Sequence, residues 1–234
     1  MRISDSFRGK IRQIAAWLAG HPISIALAYA AFYFPMFFYL EHRTVTEYYV
    51  IHCGLDDVLP YCPAFVVPYV SWFLLIPGML LYFLKREPER YYELCWLLFG
   101  GMTVSLLFYL VFPNCIYLRQ PVSGDGLCNQ IVLLIRMVDT PTNVCPSIHV
   151  ASTVAVMVEA GRSERLRPRR LVRYGLTLLG VSICLSTVLL DQHSAVDVVC
   201  GVALTMILSN IMELWLRRRS LRSRRTQKPM QRVK

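Results

Sequence analysis

Four side chains have types and spacing that can do chemistry: His149, His193, Asp197 and Arg119. His193 and Asp197 stand four residues apart, which puts them on one face if that segment is helical. A carboxylate bonded to one imidazole nitrogen fixes the tautomer and leaves the other nitrogen as a nucleophile. A second imidazole, His149, can then protonate a leaving oxygen. The planar fork of Arg119 suits phosphate oxygens and offsets charge in a transition state. Just ahead of His149, Pro146-Ser147 at a helix start adds backbone N–H groups that attract an anion. Together these parts describe phosphoryl transfer through a phosphohistidine. Taken singly they are weaker: His-x-x-x-Asp at a helix start is usually a capped turn, and a lone arginine is most often an interfacial snorkelling residue. Two imidazoles and a carboxylate are also good zinc ligands, so residue types alone leave a metal reading open.

The elements that must position these groups are long apolar runs. The chain of 234 residues is 55% hydrophobic and 17% charged, against about 25% charged in soluble domains. The runs Ile23–Leu40, Ala64–Leu84, Leu94–Phe112, Leu171–Leu190 and Ser194–Leu216 hold 18 to 23 residues each, enough for a hydrocarbon core of about 30 Å. A shorter sixth run, Ser147–Gly161, has to carry the chain between a polar loop and a basic one. The expected fold is therefore an all-α integral membrane bundle of six transmembrane helices. A soluble enzyme, a disordered chain and a disulfide-stapled secreted domain are excluded. Pro35, Pro68 and Pro77 inside the runs predict local kinks, and Asn129–Val138 is apolar enough to lie as a short helix at the interface.

Charge sets the sidedness. With both termini cytoplasmic, every lysine and arginine lies inside except Arg43, Arg119 and Arg136, as the positive-inside rule requires. The +10 net charge is thus explained by orientation and gives no argument for nucleic acid. Residues 1–22 read as a cytoplasmic segment with an amphipathic stretch from Arg8 to Trp17, 23–216 as the transmembrane catalytic domain, and 217–234 as a basic cytoplasmic tail. The first run is read as a retained anchor, because apolar sequence continues past Ala28-Tyr29-Ala30 to Leu40. All four chemical side chains then fall at the outer ends of spans, although the topology was counted without them. That coincidence favours a site facing the cell exterior at the plasma membrane.

Other polar residues suggest less. Asp56-Asp57 reads as an exposed turn, Asp191 as a solvated or capping residue, and Gly124-Asp125-Gly126 as a turn. Glu159 and Glu213 are expected to pair with nearby arginines. Cys95, Cys184 and Cys200 read as packing residues. Cys53, Cys62, Cys115, Cys128 and Cys145 fall in outer loops, an odd number whose spacing fixes no pairing. No CxxC pattern occurs, so no structural zinc is expected.

These residues carry a resemblance. Cys145-Pro-Ser-Ile-His149 resembles the Pro-Ser-Gly-His motif of the type 2 phosphatidic acid phosphatase superfamily. Ser186-Thr-Val-Leu-Leu-Asp-Gln-His193-Ser-Ala-Val-Asp197 resembles its third motif, Ser-Arg, five residues, His, three residues, Asp. Phe112-Pro113 through Arg119-Gln-Pro121 resembles a reduced first motif, in the family Lys, six residues, Arg-Pro. The resemblance implies metal-independent chemistry without a cofactor in a six-helix core. It implies His193 as nucleophile, Asp197 as its orienting group and His149 as acid and later base. Arg119, Ser147 and Ser186 would contact the phosphate.

The departures are specific. Phe112 stands at the first-motif lysine, Thr187 at the third-motif arginine, Ile148 at the second-motif glycine, and Gln120 separates Arg119 from its proline. A site lacking two cations neutralises a dianionic monoester less well than a singly charged diester. A similar Ser-Thr third motif and Pro-Ser-x-His occur in the inositol phosphorylceramide synthase-like and sphingomyelin synthase-like branches. The expected function is a lipid phosphate phosphatase acting on a phospholipid or isoprenyl phosphate in the bilayer. The alternatives are a phosphotransferase moving a head group between lipids, or a non-catalytic lipid-binding or transport protein.

Overall fold

Apolar backbone withdrawn from water must satisfy its own N–H and C=O groups, and uncharged runs of this length do so as helices. The computed structural model describes residues 20–227, together with 9, 10, 13 and 17. Most of the amphipathic stretch expected at Arg8–Trp17, and the end of the tail from 228 to 234, lie outside the described residues. The helices are α1 Ile23–His42, α2 Val66–Arg86, α3 Pro88–Val111, α4 Leu127–Val138, α5 Ile148–Arg162, α6 Arg170–Leu189 and α7 Ala195–Gln227. A 3₁₀ turn at Pro63–Phe65 leads into α2. A short parallel pair, β1 Tyr49–Val50 with β2 Asn114–Cys115, ties the first long loop to the segment after α3.

Five of these helices, α1, α2, α3, α6 and α7, are long and apolar enough to cross a membrane. The sixth expected span, α5, has 15 residues and so covers about 22 Å. It is nonetheless the central helix, packed against α2, α3, α6 and α7. Large apolar side chains point outward from the bundle, among them Phe34 and Phe38 on α1, Leu74 on α2 and Leu178 on α6, as suits contact with lipid. The expected interfacial helix is α4, with Val132 buried and Leu133, Leu134 and Met137 exposed. Pro35 and Pro77 do lie inside helices. Pro68 sits in the first turn of α2, where its missing N–H is not needed.

Two helices differ from their sequence-based bounds. The third begins at Pro88 rather than Leu94, because Pro at the first helical position suits an N-terminus and Arg90 and Glu93 pair with each other. The last continues past Leu216 to Gln227, because arginines are good helix formers and favourable near a helix C-terminus.

The bundle has two distinct ends. One gathers Glu41, Val66, Tyr109, His149, Leu190 and Ala195, and we call it the histidine end. There, Cys62 N–H donates to Leu189 O and Ser147 N–H to Asp197 O. The other gathers Arg90, Glu159, Arg162 and Glu213 in one ion-pair network and is called the arginine end. A large apolar cluster that includes Phe83, Leu94, Leu98, Val156 and Ile183 packs the arginine half. Two smaller clusters, one around Leu40 and Tyr109 and one around Tyr69 and Leu190, pack the histidine half.

Candidate active site

The start of α7 is built by a reciprocal cap. Ser194 Oγ accepts from Val196 N–H at 3.1 Å, and the carboxylate of Asp197 accepts from Ser194 N–H at 2.8 Å. The oxygen of Asp197 that closes this box, Oδ2, also lies 3.3 Å from His193 Nδ1. A carboxylate can only accept, so Nδ1 carries the proton and Nε2 is left with its lone pair. Both residues are buried, Asp197 completely, and Asp197 Oδ1 has no hydrogen-bond partner. The backbone just before His193 is fixed as well: the N–H groups of Gln192 and His193 both donate to Thr187 O at 3.0 Å.

The start of α5 is held against this turn. Ser147 is the N-cap, its hydroxyl accepting from Val150 N–H. A Cβ at Gly201 would meet Ser147 O at 2.9 Å and Ala151 N at 3.2 Å, so glycine is what lets α7 close on this turn. Asn114, fully buried, staples the segment before it: its Oδ1 accepts from Val144 and Cys145 N–H at 2.8 Å each, and its Nδ2 donates to Cys145 O. Tyr109 donates its hydroxyl to Pro146 O. As a result the His149 and His193 rings face each other edge-on with centroids 5.9 Å apart. His149 is flanked by Tyr69 at 4.8 Å and Trp72 at 4.5 Å.

Both imidazoles open onto one cavity of about 380 Å³ between α1, α2, α4 and α5. Its walls include Phe34, Phe37, Phe38, Trp72 and Phe73, and its polar lining includes Asp139 and Asn143. Such a space accepts an apolar chain with a polar end at the two rings. Among the described residues no cluster of three or more histidine, cysteine, aspartate or glutamate side chains has the geometry of a metal site. All eight cysteines are free thiols.

The sequence-selected residues therefore fall into two groups. His193, Asp197 and His149 come together. Arg119 comes near but is engaged: it donates to Gln192 Oε1 at 2.6 Å and to Thr140 O at 3.1 Å, with its Nε buried and without a partner. Burial pulls its pKa down, against the nearby charge of Asp139. The hydroxyls of the other two are turned to their own helices, Ser147 as a cap and Ser186 donating to Ile183 O at 2.6 Å. Thr187, at the position of the missing arginine, is fully buried and bonded to Cys184 O. Phe112, at the position of the missing lysine, stacks on Tyr49 with ring centroids 4.1 Å apart.

Several contributors escaped the sequence reading. Gln192, Asn114 and Asp139 carry no motif that would single them out. Asp56, read as part of an exposed turn, in fact reaches the start of α7. Its Oδ1 accepts from Ala195 N–H at 2.8 Å and its Oδ2 from Ser194 Oγ–H at 2.6 Å. Asp191 pairs with Arg136 at 3.6 Å. Partial burial raises its pKa, opposed by the Gln120 N–H and the arginines beside it.

A family model described as the PAP2 superfamily matches residues 62–211, a stretch containing Arg119, His149, His193 and Asp197. Neither a curated protein nor a solved structure matches the chain.

Proposed function

Because the chain belongs to the PAP2 superfamily, we propose that it is a membrane-embedded lipid phosphate phosphatase working through a phosphohistidine. The observation that carries this reading is the shared cavity: two imidazoles, one backed by a buried carboxylate, at the polar end of an aromatic-walled space. In the first step His193 Nε2 attacks phosphorus and the P–O bond to the lipid breaks. The proton from His149 goes to the leaving lipid oxygen. Asp197 holds the Nδ1 proton and stabilises the ring as it gains positive character. In the second step His149 takes a proton from water, whose oxygen attacks phosphorus, and the N–P bond breaks to free His193. Arg119, with Ser147 and Ser186, is assigned to the phosphate; to reach it Arg119 has to exchange its bond to Gln192, and Ser186 its bond to Ile183 O, for phosphate oxygens, and the Ser147 hydroxyl has to turn its proton to the phosphate. The expected substrate is a phospholipid or an isoprenyl phosphate.

Sidedness follows from charge. The lysines and arginines concentrate at the end away from the histidines, which supports a cytoplasmic arginine end and a site at the outer leaflet of the plasma membrane.

One observation favours a second reading, head-group transfer between lipids. Among the described residues the cavity lining includes the carboxylate of Asp139 and no lysine or arginine, so a dianionic monoester meets repulsion where a singly charged phosphodiester meets less. The deciding experiment offers purified protein labelled phosphatidic acid, an isoprenyl pyrophosphate and a phosphodiester lipid, with and without diacylglycerol or ceramide. Free phosphate identifies a phosphatase, and a new labelled lipid a transferase. Activity should persist in chelator, and acid-labile, base-stable label should be trapped on His193. No turnover and no label across the panel would replace both readings with a non-catalytic lipid-binding or transport role.

A further inference from the structure

The loop between α1 and α2 lies mostly outside the matched family region, yet it touches three segments around the site: the stretch after α3, the end of α6 and the start of α7. Tyr49 N–H donates to Pro113 O and Ile51 N–H to Cys115 O, on the segment leading to Arg119. Cys62 N–H donates to Leu189 O, at the end of α6. Between these anchors Cys53 N–H and Asp56 Oδ2 close a tight turn at 2.9 Å, which presents the Asp56 carboxylate to the N-terminus of α7. Two of the donors at that helix start, Ala195 N–H and Ser194 Oγ–H, are thus taken by a side chain about 140 residues away.

We propose that Asp56 is a positioning residue for the His193–Asp197 pair, acting through Ser194. By accepting the hydroxyl proton of Ser194 it turns that oxygen's lone pairs toward Val196 N–H. By holding Ala195 N–H it fixes the peptide planes that aim Ser194 N–H at Asp197 Oδ2, the oxygen that faces His193. Its negative charge at the helix start also favours the protonated ring that forms during transfer. The proposal rests on His193 being the nucleophile. Neighbouring Asp57 is different: it is exposed and pairs with His52 at 2.9 Å within the loop, which makes it the matched control.

The test compares Asp56→Ala, Asp56→Asn, Ser194→Ala and Asp57→Ala in detergent micelles or nanodiscs, with three readouts. The first is amide hydrogen exchange at residues 194–198. The second is the titration of ¹⁵N-labelled His193, assigned by loss of its signal in His193→Ala. The groups facing His193 are Asp197 in the first turn of α7, His149 from α5 and Asp139 across the cavity. The third is kcat and KM with labelled lipid phosphate. For Asp56→Ala we expect roughly 100-fold lower kcat with KM changed less than about threefold, faster exchange at 194–198, and titration of His193 at lower pH. Asp56→Asn and Ser194→Ala should fall between, and Asp57→Ala should match the parent. Parent-like exchange and parent-like His193 titration in Asp56→Ala and Ser194→Ala would overturn the proposal. If the parent protein turns over none of the lipids, the functional reading falls while exchange and titration still decide the role of Asp56. If Asp56→Ala does not fold, Ser194→Ala decides it.

Discussion

Glu159 at the arginine end and Asp197 at the histidine end are both fully buried carboxylates, and they are treated differently. Both oxygens of Glu159 are paired, one with Arg162 at 3.0 Å and the other with Arg90 at 3.3 Å. Arg162 continues to Ser209 and Glu213, so the network links α3, α5 and α7. Asp197 has one oxygen shared between Ser194 N–H and His193, and one oxygen with no partner. Arg119 nearby also keeps an unpartnered Nε, and Asn143 an unpartnered Oδ1. Buried polar atoms are ordinarily satisfied, so these three set the histidine end apart from the fully paired carboxylate of the arginine end. The arginine end ties helices together by ion pairs; in the proposed function the histidine end keeps these groups for a substrate.

Replacing one residue at each end should separate these roles. His193→Ala should reduce turnover to background, because among the described residues no other group in the cavity has a carboxylate-oriented nitrogen. Its thermal stability should stay within about 1 kcal/mol of the parent, since Asp197 keeps its bond from Ser194. Labelled-lipid turnover read beside a melting curve checks both halves. Retained turnover would remove His193 as nucleophile.

Glu159→Ala should do the reverse. It leaves Arg90 and Arg162 without their buried partner, at a cost of about 3 kcal/mol. That is the low end for breaking a buried pair, because both guanidinium groups are partly exposed. Turnover per folded molecule should be unchanged. A melting curve unaffected by Glu159→Ala would mean that the network does not fasten the helices.

How far each end could be read beforehand follows the same division. The helices were legible because hydrocarbon imposes length and apolarity on every span, and even the short apolar α4 was visible in that pattern. The pairing of Glu159 and Glu213 with arginines followed from charge placed at span ends. His149, His193 and Asp197 were legible because spacing alone brings two of them together and topology the third. Asp56 and Asn114 were not. Their partners are the main-chain N–H groups of α7 and of the Val144–Cys145 segment, and a backbone donor has no sequence signature. Nor did the sequence show that Phe112 is claimed by Tyr49, since stacking across a two-residue strand pair depends on a register that neither segment announces.

Acid should expose the histidine end first. Burial alone would raise the pKa of Asp56, but the bonds from Ala195 N–H, Ser194 Oγ–H and Cys53 N–H outweigh it and hold the carboxyl below its usual value. A carboxylate with a depressed folded pKa contributes stability that is full above its unfolded value of about 4. That contribution is lost as pH falls through the lower, folded value. The first turn of α7 should therefore lose amide protection below about pH 4 while the parent bundle remains helical. In Asp56→Asn that step should disappear. An identical acid profile in the variant would assign the transition to another carboxylate, with Asp191 and Asp57, which line one pocket with Asp56, as the nearest alternatives.

The smallest effect is expected where the sequence pointed to the largest. Phe112 occupies the position of the family's first-motif lysine, so Phe112→Lys is the obvious way to return a cation to the histidine end. The structure argues otherwise. The Phe112 ring lies flat on Tyr49, with an interplanar angle of 13°, and touches Phe108; it is not among the residues lining the cavity that holds both imidazoles. A lysine there replaces a stacking contact worth about 1 kcal/mol and starts from a backbone position that directs its stem toward β1. Turnover of phosphatidic acid should rise less than about threefold, with a slightly lower melting temperature. Asp139→Asn acts from inside the cavity, and removing that negative charge should favour the monoester over the diester more than Phe112→Lys does. A tenfold gain from Phe112→Lys alone would reverse that order. It would mean that the missing lysine, rather than the carboxylate beside the rings, sets which phosphate the histidine end accepts.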